Sequence, residues 1–393
     1  MENGAIRLHS LDALRGIAAL AVVCLHWQHI QLLATPNETT TWPPISGSVD
    51  HTLQPLHLLL WPFYQRGYLA VDAFFLISGF IFFWLYRDKL ALRTMSVSEF
   101  SFLRFSRLYP LHFALLLVVA SLQLCFVGLT GQPFIYPAND WPHFLMSLFF
   151  IQGTLAQAAF NGPEWSLTIE IIMYAVFCAL ARFGLLRGVA GPAAVFVIGV
   201  IVSKLHYDLS RGICGFFAGG ITYIAFTRIR RVPYVRKLIF PLLFATSLGW
   251  AVVIADLYES GAISMELAKL LPVAKNTILI YAVLYGLFPM TILLFALHEN
   301  VLGARYNSIA WLGEISYSSY LLHFPLQLVL AISVAYGIVD KETARSGPCM
   351  LLYFCLLIPL SIVVFRKFER PMQNALRRQW QRHISSYRKP VRV

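Results

Sequence analysis

The sequence predicts an all-α, polytopic membrane protein with about ten transmembrane helices and one short re-entrant or interfacial helix. Of its 393 residues, 58% are hydrophobic and only 13% are charged, whereas an average globular chain carries about 25% charged residues. Apolar stretches of roughly 20 residues, the length that crosses a bilayer, recur along the chain. No long hydrophilic domain interrupts them.

The expected spans can be marked off by hydropathy alone. The apolar segment His143–Leu155 is too short to span comfortably and fits a re-entrant or interfacial piece. We expect the spans at Leu11–Leu33, Trp61–Tyr86, Leu108–Leu129, Trp165–Leu186, Ala190–Leu205, Ile213–Thr227, Leu238–Leu257, Val273–Leu297, Trp311–Tyr336 and Cys349–Phe368.

The net charge of +12 comes from Lys and Arg in short runs between apolar segments. This distribution is typical of membrane topology and does not require nucleic acid as a partner. With this set of spans and both termini inside, the basic runs fall on the cytoplasmic side. Counting His143–Leu155 as a span would place Arg182, Arg187 and the C-terminal tail outside. We therefore expect a multi-pass protein of the inner or plasma membrane, embedded in the lipid bilayer, with cytoplasmic termini and a basic tail at 372–393.

Arg15 and His26 lie in the first span and suggest a polar path along it. They are eleven positions apart, which at ~100° per residue is about three whole turns, so both share one helix face. A rise of ~1.5 Å per residue separates them by roughly 16 Å. Ionisable residues are costly inside a membrane, which favours function for His26. The alternatives are an interfacial anchor for Arg15 and a hydrogen-bonded packing residue for His26.

The fourth span carries a carboxylate inside the membrane, in the stretch EWSLTIEIIMY. Glu170 lies roughly 8 Å beyond Trp165, and Tyr174 follows one turn deeper on the same face. We expect this carboxylate to be paired or protonated. Function is one interpretation, and a helix-packing hydrogen bond to a Tyr or His is the other.

The ninth span holds a second buried histidine, in ISYSSYLLHFP. Ser316, Tyr320 and His323 stand at i, i+4 and i+7, which is one helical stripe. His323 falls near the bilayer middle, and Pro325 would kink the helix. The stripe is either functional or a polar packing seam.

The second span contains Asp72 and a Ser78-Gly79 pair. Asp72 is expected to pair with a cation such as Arg66, a structural role. Gly79, like the glycines of the sixth span, permits close helix approach. The residues expected to bind substrate or to support the site are Asp72, Ser78, Trp165, Tyr174, Ser316, Tyr320 and His323.

Arg104 and Arg107 stand at i and i+3 at the predicted cytoplasmic mouth of the third span, in FLRFSRLYP. Two guanidiniums on one helix edge make a good phosphate clamp, because each can donate bidentate hydrogen bonds. Ordinary positive-inside topology explains the same pair without a ligand.

Taken in order, these motifs resemble the acyltransferase 3 family of integral membrane acyltransferases. They are Arg-x10-His in the first span, FFLISGF, Arg-x-x-Arg before Leu-Tyr-Pro, WSLTIE with a following Tyr, SYSSYLLHFP, and FERP at Phe368–Pro371. Each motif alone is weak, whereas the ordered set is specific. The resemblance covers an acyltransferase 3-like transmembrane domain at 8–371.

The resemblance implies a ten-helix core and an acyl donor, usually acetyl-CoA, taken from the cytoplasm, with no permanently bound cofactor. It also implies an acceptor hydroxyl at the outer face, often on a sugar of a polysaccharide or glycolipid. His26 is then the catalytic histidine, and Arg15, Arg104 and Arg107 serve the donor. Neutral His26 would deprotonate the acceptor or take the acyl group itself, and Glu170 would orient it or stabilise its charge. The sequence leaves both routes open.

A proton-coupled secondary transporter is the alternative, since buried His and Glu also form proton relays. However, the two halves of the sequence do not repeat each other, as they do in many secondary transporters. A transporter of small solutes also has no need of a cytoplasmic arginine pair. A non-catalytic scaffold or receptor would leave the buried His26, Glu170 and His323 without a role. Binding of acetyl-CoA by the purified protein is required only by the transferase interpretation.

Overall fold

The computed structural model describes residues 7–34, 54–152, 159–258, 266, 277–303 and 305–387. Within these ranges the chain is helical without strands, so the predicted fold class is confirmed. Single π-helical turns at Val283–Leu287 and Phe365–Glu369 interrupt two of the longer helices. The helices are α1 His9–His26, α2 Gln28–Gln31, α3 His57–Arg66, α4 Leu69–Leu85, α5 Arg87–Ala91, α6 Val97–Thr130, α7 Trp141–Leu148, α8 Trp165–Arg182, α9 Ala190–Val202, α10 Tyr207–Ile229, α11 Val235–Tyr258, α12 Thr277–Ala282, α13 Phe288–Leu302, α14 Asn307–Glu314, α15 Ser316–Ala335, α16 Lys341–Arg345, α17 Gly347–Val364 and α18 Arg370–Tyr387.

The number of spans differs from the expected ten. Among the described residues, 8 helices are long and apolar enough to cross a membrane, and a ninth span results if α3 and α4, bent by 64°, count as one. The remaining expected span is α9, whose 13 residues reach only about 20 Å across a hydrocarbon core of ~30 Å. The count of about ten is therefore not confirmed. The expected short piece around His143 is the 8-residue helix α7.

The helices form two compact units. Unit 1 comprises Met1–Leu25, Leu58–Leu92 and Ala175–Ser316. Unit 2 comprises His26–His57, Arg93–Tyr174 and Tyr317–Val393.

Helices α4 and α10 of unit 1 approach each other backbone to backbone. A Cβ added at Gly79 would lie 1.8 Å from the carbonyl oxygen of Phe216, and one at Gly219 would lie 2.0 Å from that of Leu76. Neither position has room for a side chain. The expectation that these glycines serve close helix packing is confirmed.

A buried ion pair crosses the same contact between α4 and α10. Arg211 donates from Nη2 to Asp72 Oδ2 at 2.7 Å and from Nε to Asp72 Oδ1 at 3.1 Å. Its Nη2 also donates to the carbonyl oxygen of Tyr68 at 3.0 Å. The prediction that Arg66 pairs with Asp72 is therefore wrong. Arg66 ends α3 before the 64° bend, whereas Arg211 lies on the helix that packs directly on α4.

Unit 2 contains the long helix α6, of 34 residues. The Ser96 hydroxyl caps its first turn by accepting from the Glu99 N–H at 3.0 Å. Gly131 ends the helix with a φ of 80°. Helix α18, which holds most of the predicted basic tail, packs on α6 through stacked rings of Phe102 and Trp380, 4.4 Å between centroids.

Candidate functional site

Two buried histidines meet in unit 2. Nδ1 of His26, the last residue of α1, lies 3.0 Å from Nε2 of His323 on α15. The two ring planes are nearly parallel, 8° apart, with centroids 5.0 Å apart, and His323 is fully buried. The Tyr353 hydroxyl donates to the carbonyl oxygen of His323 at 2.7 Å and holds that turn of α15 in place. The fold thus joins the predicted catalytic histidine to a predicted supporting one.

The hydrogen bonds around these rings assign their tautomers. His323 Nδ1 lies 2.5 Å from the carbonyl oxygen of Tyr320. A carbonyl can only accept, so in the neutral ring this nitrogen carries the proton and Nε2 has the lone pair. Nδ1 of His26 must then donate to that lone pair. Neutral His26 consequently has its own lone pair on Nε2, the nitrogen that can accept a proton from a substrate.

Gln327 connects His26 to a third histidine, His29. Its Nε2 donates to the carbonyl oxygen of His26 at 2.8 Å, and its Oε1 accepts from Nδ1 of His29 at 2.8 Å. The Tyr136 hydroxyl donates to Nε2 of His29 at 3.3 Å. Each of these three hydrogen bonds pairs a donor with an acceptor, so the Gln327 amide and the His29 tautomer have one consistent arrangement.

Tyr136 reaches this cluster from a locally strained loop. Ile135 has a φ of 63°, in the left-handed region that costs a non-glycine residue on the order of 1–3 kcal/mol. A Cβ added at Gly162 would lie 2.1 Å from Cζ of the Tyr136 ring. The absence of a side chain at Gly162 therefore gives the ring its place beside His29.

Glu170 and Tyr174 form a second polar cluster in unit 2. The Tyr174 hydroxyl donates to the Glu170 carboxylate one turn away on α8, so the carboxylate accepts a hydrogen bond from a tyrosine of its own helix. The guanidinium carbon of Arg104, on α6, lies 6.0 Å from the centre of the Tyr174 ring, within cation–π distance. Arg107 follows one turn later on α6. The expected role of Glu170 toward His26 stays a prediction.

Tyr320 ties the start of α8 to the helix that carries His323. Its hydroxyl donates to the carbonyl oxygen of Pro163 at 2.5 Å and lies 2.9 Å from the Ser166 hydroxyl. Trp165 stands between these two partners and is half-buried. Tyr320 therefore positions the helix N-terminus that leads to Glu170.

Arg15 and Ser316 lie in unit 1 and contact each other there. Nη2 of Arg15 donates to the Gly313 carbonyl oxygen at 2.7 Å and to Asp12 Oδ1 at 3.0 Å, and its Nε donates to the Ser316 hydroxyl at 3.1 Å. These bonds fasten α1 to the junction of α14 and α15, a structural role that was not expected. Ser78 is half-buried on α4 of the same unit. The donor-binding role of Arg15 stays a prediction.

His112 and Glu164 form a buried ionisable pair that the sequence analysis missed. Both side chains are 0% exposed, with His112 Nδ1 3.1 Å from Glu164 Oε2. His112 Nε2 donates to the Ser147 carbonyl oxygen at 2.9 Å, and Glu164 Oε1 accepts from Asn161 Nδ2 at 2.9 Å. The pair joins α6, α7 and the turn before α8.

Some of the missed residues carried a local signal. His29 follows His26 by three positions and Gln327 follows His323 by four, spacings that place each pair on one helix face. Tyr136 carried no such signal, because it lies in a loop 107 residues away from His29.

Buried histidines on membrane-length helices are typical of an integral membrane protein with intramembrane acid–base chemistry. The model of the acyltransferase 3 family, described as an acyltransferase domain, matches residues 8–366. The chain belongs to this family, and the resemblance stated from its motifs is confirmed.

Individual relatives agree with the family assignment. Acyltransferase MdmB of Streptomyces mycarofaciens is 27% identical, over 96% of this chain and 95% of the relative. Exopolysaccharide production protein ExoZ of Rhizobium meliloti (strain 1021) is 26% identical, over 81% of this chain and 93% of the relative. Protein 2 in picA locus of Rhizobium radiobacter is 31% identical, but over 35% of this chain. No solved structure matches this chain.

These comparisons favour the enzyme over the transporter interpretation. The protein is an acyltransferase, an enzyme of the transferase class. Its apolar helices make it a membrane protein.

Proposed function

We propose that the protein moves an acyl group, in the simplest case acetyl, from cytoplasmic acyl-CoA to a hydroxyl of a sugar or glycan at the outer face of the cell membrane. The observation that carries the chemistry is the hydrogen bond from His26 Nδ1 to His323 Nε2. It leaves the lone pair of His26 on Nε2, as a general base or nucleophile requires.

In this reaction Nε2 of His26 takes the proton of the acceptor hydroxyl. The hydroxyl oxygen attacks the thioester carbonyl carbon, the C–S bond breaks, and the CoA thiolate leaves with the proton that His26 returns. While His26 is protonated, its Nδ1–H bond to His323 becomes charge-assisted and stronger. The bond therefore stabilises the charged intermediate more than the resting state, which is what accelerates a reaction.

Arg104 and Arg107 are the proposed donor residues, with Arg15 as a further candidate. The CoA phosphates need fixed cations, and the two arginines on α6 are one turn apart. The excess of Lys and Arg in the predicted cytoplasmic segments supports a cytoplasmic donor and cytoplasmic termini. Arg104 on α6 lies over the ring of Tyr174, which donates to Glu170 one turn away, so this contact connects α6 to α8.

A polysaccharide or glycolipid acceptor is supported by one relative and by the family resemblance. ExoZ of Rhizobium meliloti is named for exopolysaccharide production. Acyl transfer to a sugar hydroxyl forms an ester and needs one base near the hydroxyl, which His26 supplies.

The test is acyl transfer by His26→Ala and His26→Gln in nanodiscs. Radiolabel is followed from [14C]acetyl-CoA to a glycan fraction of the producing cells, and CoA binding is measured in parallel. We expect both variants to lose ~100- to 10,000-fold in turnover, while CoA binding survives. His143→Gln, on α7, is the matched control. A folded His26→Gln enzyme with turnover within a few-fold of wild type would refute the catalytic assignment of His26. Acetyl trapped on His26 would show that His26 acts as a covalent nucleophile and not as a general base.

A further inference from the structure

Unit 1 contains an apolar cavity that the proposed reaction does not use. Its volume is about 480 Å³, within the range of roughly 300–1,000 Å³ that ligand pockets occupy. Side chains of α1, α3, α4, α11, α12 and α13 line it, together with the π-turn between the last two. Typical lining residues are Ala18, Ala73, Trp250 and Val283.

Arg66 is the one charged side chain among the described residues that line this cavity. It is the last residue of α3, at the 64° bend into α4. The Tyr258 hydroxyl donates to the Leu58 carbonyl oxygen at 2.5 Å, and Trp61 Nε1 donates to the Leu257 carbonyl oxygen at 3.3 Å. These bonds tie α3 to α11 and keep the cavity wall in place.

A single cation in an otherwise apolar cavity selects an amphipathic anion. Water does not fill apolar cavities, whereas a hydrocarbon chain contacts such walls favourably. If a methylene occupies about the ~30 Å³ of a water molecule, the cavity holds roughly 16 of them, the length of one fatty acyl chain. An anionic group on the same molecule can accept charge-assisted hydrogen bonds from Arg66.

We propose that this cavity binds one acyl chain of an anionic membrane phospholipid, with the phosphate at Arg66. The predicted topology places Arg66 toward the outer side, where the surrounding leaflet supplies phospholipid and cytoplasmic acyl-CoA does not reach. The site is separate from the proposed transfer reaction, and bound lipid would brace α3 and α4 at their bend.

The experiment uses the full-length protein and phosphatidylglycerol with a photoactivatable diazirine in one acyl chain. Peptide mass spectrometry maps the label, and unlabelled phosphatidylglycerol or phosphatidylcholine competes with it. We expect label on the lining helices of unit 1 and about fivefold better competition by phosphatidylglycerol, from roughly 1 kcal/mol per basic residue. Arg66→Gln should remove this preference. The exposed Arg231 provides the control Arg231→Gln, which should keep it.

Ala73→Phe should fill the cavity and reduce labelling, with Ala194→Phe, at an exposed position of α9, as the size-matched control. Ala73→Leu gives a milder version if Ala73→Phe does not fold, which thermal unfolding checks. Equal competition by the two phospholipids, or full labelling of folded Ala73→Leu and Ala73→Phe, would overturn the proposal. Stronger competition by an isoprenoid phosphate would overturn the phospholipid assignment and show that the cavity binds that class of lipid.

Discussion

Replacement of His323 tests whether the histidine pair sets the tautomer of the base. His323→Leu keeps the apolar volume but removes the acceptor for His26 Nδ1–H, which lies 3.0 Å from His323 Nε2. A hydrogen bond to a charged group is worth ~1.5–3 kcal/mol, and His26 is charged in the proposed intermediate. The expected loss in kcat is therefore roughly 10- to 150-fold. The donor KM should stay unchanged, because the residues proposed to bind the CoA phosphates are the arginines of α6.

Two polar substitutions separate this role from packing. His323→Gln can present an amide oxygen near the position of Nε2, whereas His323→Asn reaches only the Nδ1 position. We expect partial activity for the former and little for the latter. Tyr353→Phe is the control, since it removes a hydrogen bond to the His323 carbonyl oxygen and leaves the imidazole intact. The assay is single-turnover CoA release at saturating acetyl-CoA. A folded His323→Leu enzyme within twofold of wild type would refute the reasoning.

Two further predictions concern the arginines. Arg104→Ala should raise the KM for acyl-CoA roughly 10- to 150-fold, and Arg104→Lys should rescue it only partly because it lacks the bidentate fork; unchanged steady-state kinetics beside the exposed control Arg187→Ala would contradict the clamp. Asp72→Asn should destabilise the protein by at most about 3–5 kcal/mol, because it removes the buried carboxylate from Arg211 but leaves Asp208 at 3.4 Å. The double replacement of Asp72 and Arg211 by Leu should recover most of the loss. Thermal unfolding in detergent measures this, and a wild-type midpoint for Asp72→Asn would show that the pair is not structural.

Hydropathy and small-residue spacing were sufficient for the helical fold and for the expectation that α4 and α10 each pack closely against a neighbouring helix, but not for the contact between the two. Both signals are local, since a span needs a run of apolar residues and a close crossing needs glycines at a repeat. Hydropathy placed the start of a helix wrongly where a charged residue is neutralised by a partner distant in sequence. The sixth span was expected to begin at Ile213, after the charge of Arg211, yet α10 begins at Tyr207. Asp72 pairs with that arginine and allows the helix to include it.

In the candidate site, too, local features of the sequence were predictable and contacts between distant residues were not. Depth in a span and helical spacing were enough to single out His26, Glu170, Tyr174 and His323. The contact between the two histidines was not predictable, because 297 residues separate them and only tertiary packing within unit 2 brings His26 beside His323. The same holds for Tyr136, whose position depends on a strained loop and on the space beside Gly162.

A neutral partner for His26 suits a base that works inside a membrane. A carboxylate at the position of His323 would be a buried anion, and its attraction for imidazolium would favour the protonated ring that cannot act as a base. His323 instead offers a neutral lone pair, so the resting pair carries no charge in its buried surroundings. In the proposed reaction, charge arises only while the substrate proton is on His26, and it disappears when CoA leaves. The carbonyl oxygen of Tyr320 holds the proton of His323 on Nδ1 throughout. In the proposed reaction, the pair would therefore direct a single transferred proton without storing a buried ion between turnovers.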